Sequence, residues 1–270
     1  MSMPSAGPRP DLDLRLSAGA AVAREAGRLA RRWFERRGEL VIESKGPQDL
    51  VSAADRAVED LIRARLAELF PGDAVVGEEA GGPVARCAWA VDPIDGTQNF
   101  LRGMPWYCVS MAYVEDGRPQ VGIVYDPGTD ELFTAVRGGG ARLNGEPIRV
   151  SDCAELASAV VGVGHSPRHA PAAFLRPLAA VVEQGAQTRN LLCGALQLAH
   201  VACGRLDATF DPYLLPWDVL AGLLLVEEAG GAAAPYGLRP DWSGGAPLLA
   251  GTAPLVRALC PLVVPSVATG

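Results

Sequence analysis

Apolar residues keep helical spacing from residue 14 to residue 37, and Gly38 closes the run. Ala20, Ala23, Ala26, Leu29, Ala30 and Trp33 interleave there with Arg24, Arg28, Arg31, Arg32, Arg36 and Arg37, the pattern of an amphipathic surface helix. A short strand is expected at 40–43 and a turn at Lys45-Gly46-Pro47. Val58, Leu61, Ile62, Leu66 and Leu69 recur at offsets of three and four. They predict a helix over 52–70, stopped by Pro71-Gly72. Two short apolar runs, 74–76 and 87–91, fit buried strands, and each leads into acids.

From 109 to 150 the pattern turns to strands, at 121–125 and 131–136 around Asp126-Pro127-Gly128, with a two-residue hairpin signal at Asn144-Gly145. A strand at 160–163 opens the second half, whose helices are expected at 172–183, 194–203, 217–229 and 254–262. Helix, sheet, helix, sheet and helix thus follow one another, which predicts an α+β protein of stacked αβαβα layers. Residues 1–10 read as a disordered tail and 11–270 as one domain.

Composition narrows the function. The 270 residues carry 24 Lys and Arg against 31 Asp and Glu, a net charge of -7, and half of the chain (49%) is hydrophobic. A nucleic-acid binder would show a basic balance. An acidic protein that handles an anion needs a positive intermediary, and bound metal supplies one. The six cysteines form no C-x-x-C pair, and no apolar stretch is long enough for a span. Residues 1–10 lack the apolar run of a leader. A cytoplasmic protein with free thiols, binding neither nucleic acid nor membrane, is expected.

Candidate chemistry lies in four segments. In Trp89-Ala90-Val91-Asp92-Pro93-Ile94-Asp95-Gly96-Thr97 an apolar strand delivers Asp92 to its end, where a turn would expose it. Two carboxylates three residues apart can converge on hard cations such as magnesium. Gly96-Thr97 would open a short helix with its amides towards a phosphate. Gly77-Glu78-Glu79 follows the strand at 74–76, and its neighbouring side chains point to opposite sides. Asp218 stands at an N-cap position, and Ser52-x-x-Asp55 is a capping-box pattern. Each segment alone also fits a solvated turn or a helix cap. Gly138-Gly139-Gly140 precedes a hairpin and reads as a turn. His165 and His169 are expected in a loop and His200 packed in a helix.

Together the segments resemble the inositol monophosphatase family of lithium-sensitive, metal-dependent sugar phosphatases, in a similarity running from Lys45 to Gly231. It is carried by Asp49-Leu50-Val51-Ser52-x-x-Asp55, Gly77-Glu78-Glu79, the segment from Trp89 through Thr97 to Phe100, and Trp217-Asp218 running on to Glu228-Ala229-Gly230-Gly231. The resemblance implies the sandwich of the sugar-phosphatase type, two or three magnesium ions and a homodimer. Glu78, Asp92 and the Ile94 carbonyl would hold one ion, and Asp92, Asp95 and Asp218 a second, with a third near Glu78. Asp55 and Thr97 would hold the attacking water, Gly96 and Thr97 the phosphate, and Lys45 and Glu79 would support the site. The metal site would fall in the half at about 11–150, and the substrate-side residues and Asp218 in the half at about 151–270.

On the substrate side Arg189 matches a common arginine, whereas Asp211 replaces a glutamate. Leu192-Cys193-Gly194-Ala195 stands for Gly-Ser/Thr-Ala-Ala, with Gly194 among the expected phosphate-side contacts. The implied activity is hydrolysis of a small phosphate monoester, inositol 1-phosphate first. Histidinol phosphate, fructose 1,6-bisphosphate and a 3'-phosphoadenosine nucleotide are its rivals, and a non-catalytic regulatory binding protein is the alternative of another class.

Overall fold

The computed structural model describes residues 10–40, 42–46, 49–165 and 170–263. Of the tail expected at 1–10, only Pro10 is described, and it opens α1 (Pro10–Glu35). Arg24 of this helix reaches Asp130 at 2.8 Å and Arg31 reaches Glu35, so these arginines pair at the surface. Next come β1 (Ile42–Gly46) and β2 (Asp49–Ser52), an antiparallel pair. Lys45 and Gly46 therefore belong to a strand rather than the expected turn, and Pro47 lies outside the described residues. The strand expected at 40–43 starts at Ile42, because it extends to meet β2.

Ser52 caps α2 (Ala53–Leu69), as the capping-box pattern predicts. The main sheet has seven strands in sequence order: β3 (Ala74–Gly77), β4 (Cys87–Asp95), β5 (Cys108–Glu115), β6 (Arg118–Asp126), β7 (Glu131–Val136), β8 (Gly140–Leu143) and β9 (Glu146–Pro147). Only the β3–β4 pair is parallel. Asn144 and Gly145 turn β8 into β9 with φ of 50° and 89°, the positive pair that a type I′ hairpin needs. The short α3 (Thr97–Arg102) lies between β4 and β5.

A five-stranded sheet follows in the order β11-β10-β12-β14-β13. Its strands are β10 (Val160–Val163), β11 (Gln187–Arg189), β12 (Ala208–Leu214), β13 (Ala232–Ala233) and β14 (Ala246–Gly251). The remaining helices are α4 (Ala172–Glu183), α5 (Gly194–Ala202), α6 (Pro216–Glu228) and α7 (Ala253–Val263).

Side-chain size sorts the layers. On β4 and β5, Trp89, Val91, Val109, Met111 and Tyr113 pack with α1 and α2. Ala88, Ala90, Cys108, Ala112 and Val114 alternate with them and pack with α5 and α6. Bulky residues thus fill one face and small ones admit α6 closely on the other. Gly122 of β6 makes that approach possible, since a Cβ there would meet the Ala221 carbonyl oxygen at 2.6 Å. A further core joins the second sheet to α4 and α7. The result is the αβαβα sandwich that the order of elements predicts.

Candidate active site

The strand β4 does not end at Asp92. It runs through Asp95 with an irregularity, pairing Asp92 with Ser110 and Asp95 with Cys108. Three steps on β4 therefore span two on β5, which is a bulge. Ser110 and Cys108 share a face of β5, so the bulge puts both aspartates on the face towards α5 and α6. Plain alternation would send residues three apart to opposite sides. Asp92 is consequently buried, at 2% exposure, and not exposed by a turn. Its Oδ1 accepts the Ile94 N–H at 3.0 Å across the bulge.

Glu78 sits beside Asp92 because the turn after β3 is fixed from below. The Glu78 N–H donates to the Val91 carbonyl. Glu59, buried on α2, accepts the N–H groups of Glu79 and Ala80 at 2.8 and 3.0 Å. Arg63, one turn on, pairs with Glu59 at 2.7 Å, and also donates to the carbonyls of Val75 and Gly81. Gly77 is required here, since a Cβ would lie 2.4 Å from the Glu59 carboxylate carbon. Sequence reasoning missed Glu59. The Glu59–Arg63 spacing of four on a helix was its only local signal, and that spacing is common on solvated faces.

Two helix starts supply the remaining acids. Asp55 is the third residue of α2, and its Oδ2 accepts from the Ser52 N–H at 2.8 Å and Ser52 Oγ at 2.7 Å. Asp218 is likewise the third residue of α6 rather than its N-cap. Its Oδ2 accepts the N–H of Leu215, the true N-cap, at 2.8 Å, and Pro216 occupies the first helical position. Thr97 Oγ1 lies 3.3 Å from Asp55 Oδ1 and 3.0 Å from the Ile94 carbonyl. A hydroxyl has one proton, so it donates to one of these at a time and keeps lone pairs for a further donor.

The structure brings oxygens of Glu78, Asp92 and Asp218 within 4.8 Å of one another. Loss of water, followed by repulsion from Glu78, Asp95 and Asp218, holds the Asp92 carboxyl well above its ordinary range. Burial and then Asp95 and Glu78 do the same to Asp218. Such crowding of like charge disfavours ionisation, and a divalent cation would reverse it. An all-oxygen set of carboxylates suits a hard cation, so the residues present fit the expected metal.

Asp95 is held differently. Its Oδ2 accepts the Ala195 N–H at 2.6 Å and faces Cys193 Sγ at 3.2 Å. Burial raises its pKa, while hydrogen bonds from Ala195, Cys193, Gly194 and Gly96 oppose the rise. The carboxylate thus lies at the N-terminus of α5, where the helix dipole favours negative charge. Gly194, expected at the phosphate, directs its amide to Asp95. Gly96 has φ of 91°, and a Cβ there would meet the Trp106 carbonyl oxygen at 2.7 Å, so only glycine fits.

The substrate-side residues are more scattered. Asp211 on β12 is buried, accepts the Tyr213 N–H at 2.8 Å, and lies against Gly164, where a Cβ would overlap its carboxylate. Burial pushes its carboxyl up to about 7. Arg189 ends the edge strand β11, is exposed, and donates to the Thr188 carbonyl. Glu79 is half-buried. The side chain of Lys45 and all of His169 lie outside the described residues. His165 is exposed, and His200 packs against Phe133, where burial lowers its pKa to about 4. The glycine triplet is a hairpin turn whose Gly138 and Gly140 amides donate to Glu228 of α6. All six cysteines are free thiols. Among the described residues no helix is long and apolar enough to cross a membrane.

Residues 11–257 match the model of the inositol monophosphatase family. An inositol-1-monophosphatase of Mesorhizobium japonicum is 39% identical over 249 residues, covering 90% of this chain and 94% of that protein. A Nus factor SuhB of Xylella fastidiosa is 42% identical over 213 residues, covering 78% of each. The crystal structure of the extragenic suppressor protein suhB from Bartonella henselae superposes with a TM-score of 0.85 at 32% identity, covering 93% of this chain and 98% of that one. The chain belongs to the inositol monophosphatase family. It is a phosphoric monoester hydrolase of a metal-dependent family, and its substrate is a small phosphorylated molecule.

Proposed function

We propose that this chain hydrolyses the phosphate monoester of a small polyol, inositol 1-phosphate first, using magnesium. The observation that carries the reading is the convergence of Glu78, Asp92 and Asp218 within 4.8 Å, with Asp95 on the same face of β4. These acids and the Ile94 carbonyl would hold two or three ions. Bound magnesium would supply Lewis acidity and positive charge at the phosphoryl oxygens.

The chain's own residues do the rest. Thr97 holds the attacking water through Oγ1. Asp55 Oδ1 takes the water's proton through that hydroxyl, while Oδ2 stays fixed on Ser52. The amide of Thr97 holds the phosphate while that of Gly96, expected there too, braces Asp95, and in-line placement does more here than covalent help. Asp211 takes a substrate hydroxyl, Gly194 positions Asp95 beside the phosphate, and Arg189 meets the substrate at the rim. Lys45 and Glu79 support the acids. Retention of every acid in the set favours catalysis over a purely regulatory protein. A homodimer in the cytoplasm completes the reading, and light scattering at twice the chain mass would support that assembly.

The test is phosphate release from inositol 1-phosphate, histidinol phosphate, fructose 1,6-bisphosphate and a 3'-phosphoadenosine nucleotide, with magnesium and with chelator. The reading expects the fastest magnesium-dependent release from inositol 1-phosphate. A faster rival would reassign the substrate, and no magnesium-dependent release from any of them would sink it.

A further inference from the structure

Behind the oxygen-rich cluster lies a donor set of different chemistry. Asp95, Cys108 and Cys193 bring a carboxylate oxygen and two sulfurs within 4.8 Å of one another, and all three residues are buried. They come from three separately anchored elements: the end of β4, the start of β5 and the N-cap of α5. The sulfurs are 3.6 Å apart. Cys193 Sγ also lies 3.2 Å from Asp95 Oδ2 and 3.3 Å from the Asp95 carbonyl oxygen.

That spacing discriminates between uses of a thiol pair. A tetrahedral cation with metal–sulfur bonds of about 2.3 Å sets its two sulfurs roughly 3.8 Å apart. A disulfide needs about 2.05 Å, well short of the separation here. The pair already stands close to the separation of a chelate. Two sulfurs select a soft d10 cation over magnesium, and the carboxylate and carbonyl oxygens of Asp95 complete a mixed set. Low dielectric around the sulfurs makes a thiolate pair unfavourable alone, and a bound dication supplies the missing charge.

We propose that Asp95, Cys108 and Cys193 form an inhibitory site for a soft divalent cation of the zinc and cadmium class. Binding replaces the two thiol protons, which pass to solvent, and transfers no electrons. It engages Asp95 and so withdraws that carboxylate from the magnesium cluster. The inhibitory part rests on the reading of Asp95 as a magnesium ligand; the binding part does not.

The experiment uses the full chain, reduced and freed of magnesium, titrated with cadmium and followed by sulfur-to-cadmium charge-transfer absorption in the ultraviolet. One equivalent with a thiolate band is expected. Cys108→Ala and the nearly isosteric Cys108→Ser should lose the band and bind at least about ten-fold more weakly. In parallel, zinc should inhibit phosphate release by the wild-type chain at saturating magnesium. Both Cys108 variants should escape that inhibition with unchanged basal turnover. A band that persists in both variants overturns the site, as does a wild-type chain without a band. Loss of the band with undiminished zinc inhibition overturns the inhibitory role. A thiolate band in a chain that shows no magnesium-dependent turnover supports the cation site and counts against the phosphatase reading alone.

Discussion

Asp92 and Asp95 share one strand and one face, yet they are supported in opposite ways. Asp92 bonds to the Ile94 N–H two residues on and faces Glu78 and Asp218, so its surroundings are local and mostly repulsive. Asp95 accepts the Ala195 N–H from a helix 100 residues along the chain, and the start of that helix offsets its burial. One carboxylate has a single local amide against three acidic neighbours; the other is met by several hydrogen bonds of the fold. The same residue type, three positions apart, therefore meets burial with little help in one case and with a helix start in the other.

The sharpest way to break this contrast is to neutralise each acid. Asp92→Asn should lower magnesium-dependent turnover on the order of a thousand-fold or more, with metal-free Tm unchanged or higher, because a desolvated carboxyl is replaced by a neutral amide. Asp95→Asn should also lose turnover but lower the metal-free stability, by about 0.5–2 kcal/mol, since α5 loses its anionic cap. Thermal melts in chelator read both, and the same sign for the two variants would refute the distinction.

Gly77→Ala comes next. Its Cβ would collide with Glu59, so a destabilisation of about 1–3 kcal/mol is expected in denaturant titrations. Weaker magnesium binding should accompany it as Glu78 is displaced. Normal stability and normal metal affinity would dissociate the turn from the site.

A pH experiment probes the substrate side. Asp211 rises from the ordinary 3.8 to about 7 in the fold, so between those values the folded chain keeps a proton that the unfolded chain releases. Its contribution to stability is full below pH 3.8 and is lost as pH climbs through about 7. Metal-free Tm should therefore fall across that window, and Asp211→Asn should flatten the part of the slope that Asp211 causes. An unaltered slope would contradict the assignment. Smallest of all, Arg189→Ala on the exposed edge of β11 should change stability by less than about 0.5 kcal/mol and act through KM rather than kcat.

Much of this was legible because helices and strands repeat at different periods. The periodicity of α2 and the run of α4 gave elements, and the Asn144-Gly145 signal gave a turn, from local chemistry alone. Glu78, Asp92, Asp95 and Asp218 stand out as a set only through the resemblance that the four motifs carry together, since each segment alone also fits a turn or a cap. What stayed hidden is non-local. The bulge at Asp92–Asp95 is defined only against β5, and plain alternation would have separated the two acids. Glu59 looks like half of a surface ion pair until the turn at Gly77 is folded over it. Cys108 and Cys193 are 85 residues apart and carry no shared sequence pattern. Asp218 reads as an N-cap because the sequence does not reveal that Leu215 takes that position.

The paired helix starts at Asp55 and Asp218 bear on how members of such a family diverge. Each aspartate gives one oxygen to its own helix, through Ser52 or Leu215, and so remains useful to folding whether or not any reaction occurs. A descendant that abandoned catalysis would still be selected to retain both. Asp92 caps no helix, and without a cation its one bond, from the Ile94 N–H, is set against buried repulsion. Drift at Asp92, rather than at Asp55 or Asp218, is therefore the mark by which a lapsed enzyme on this scaffold would be told from a working one.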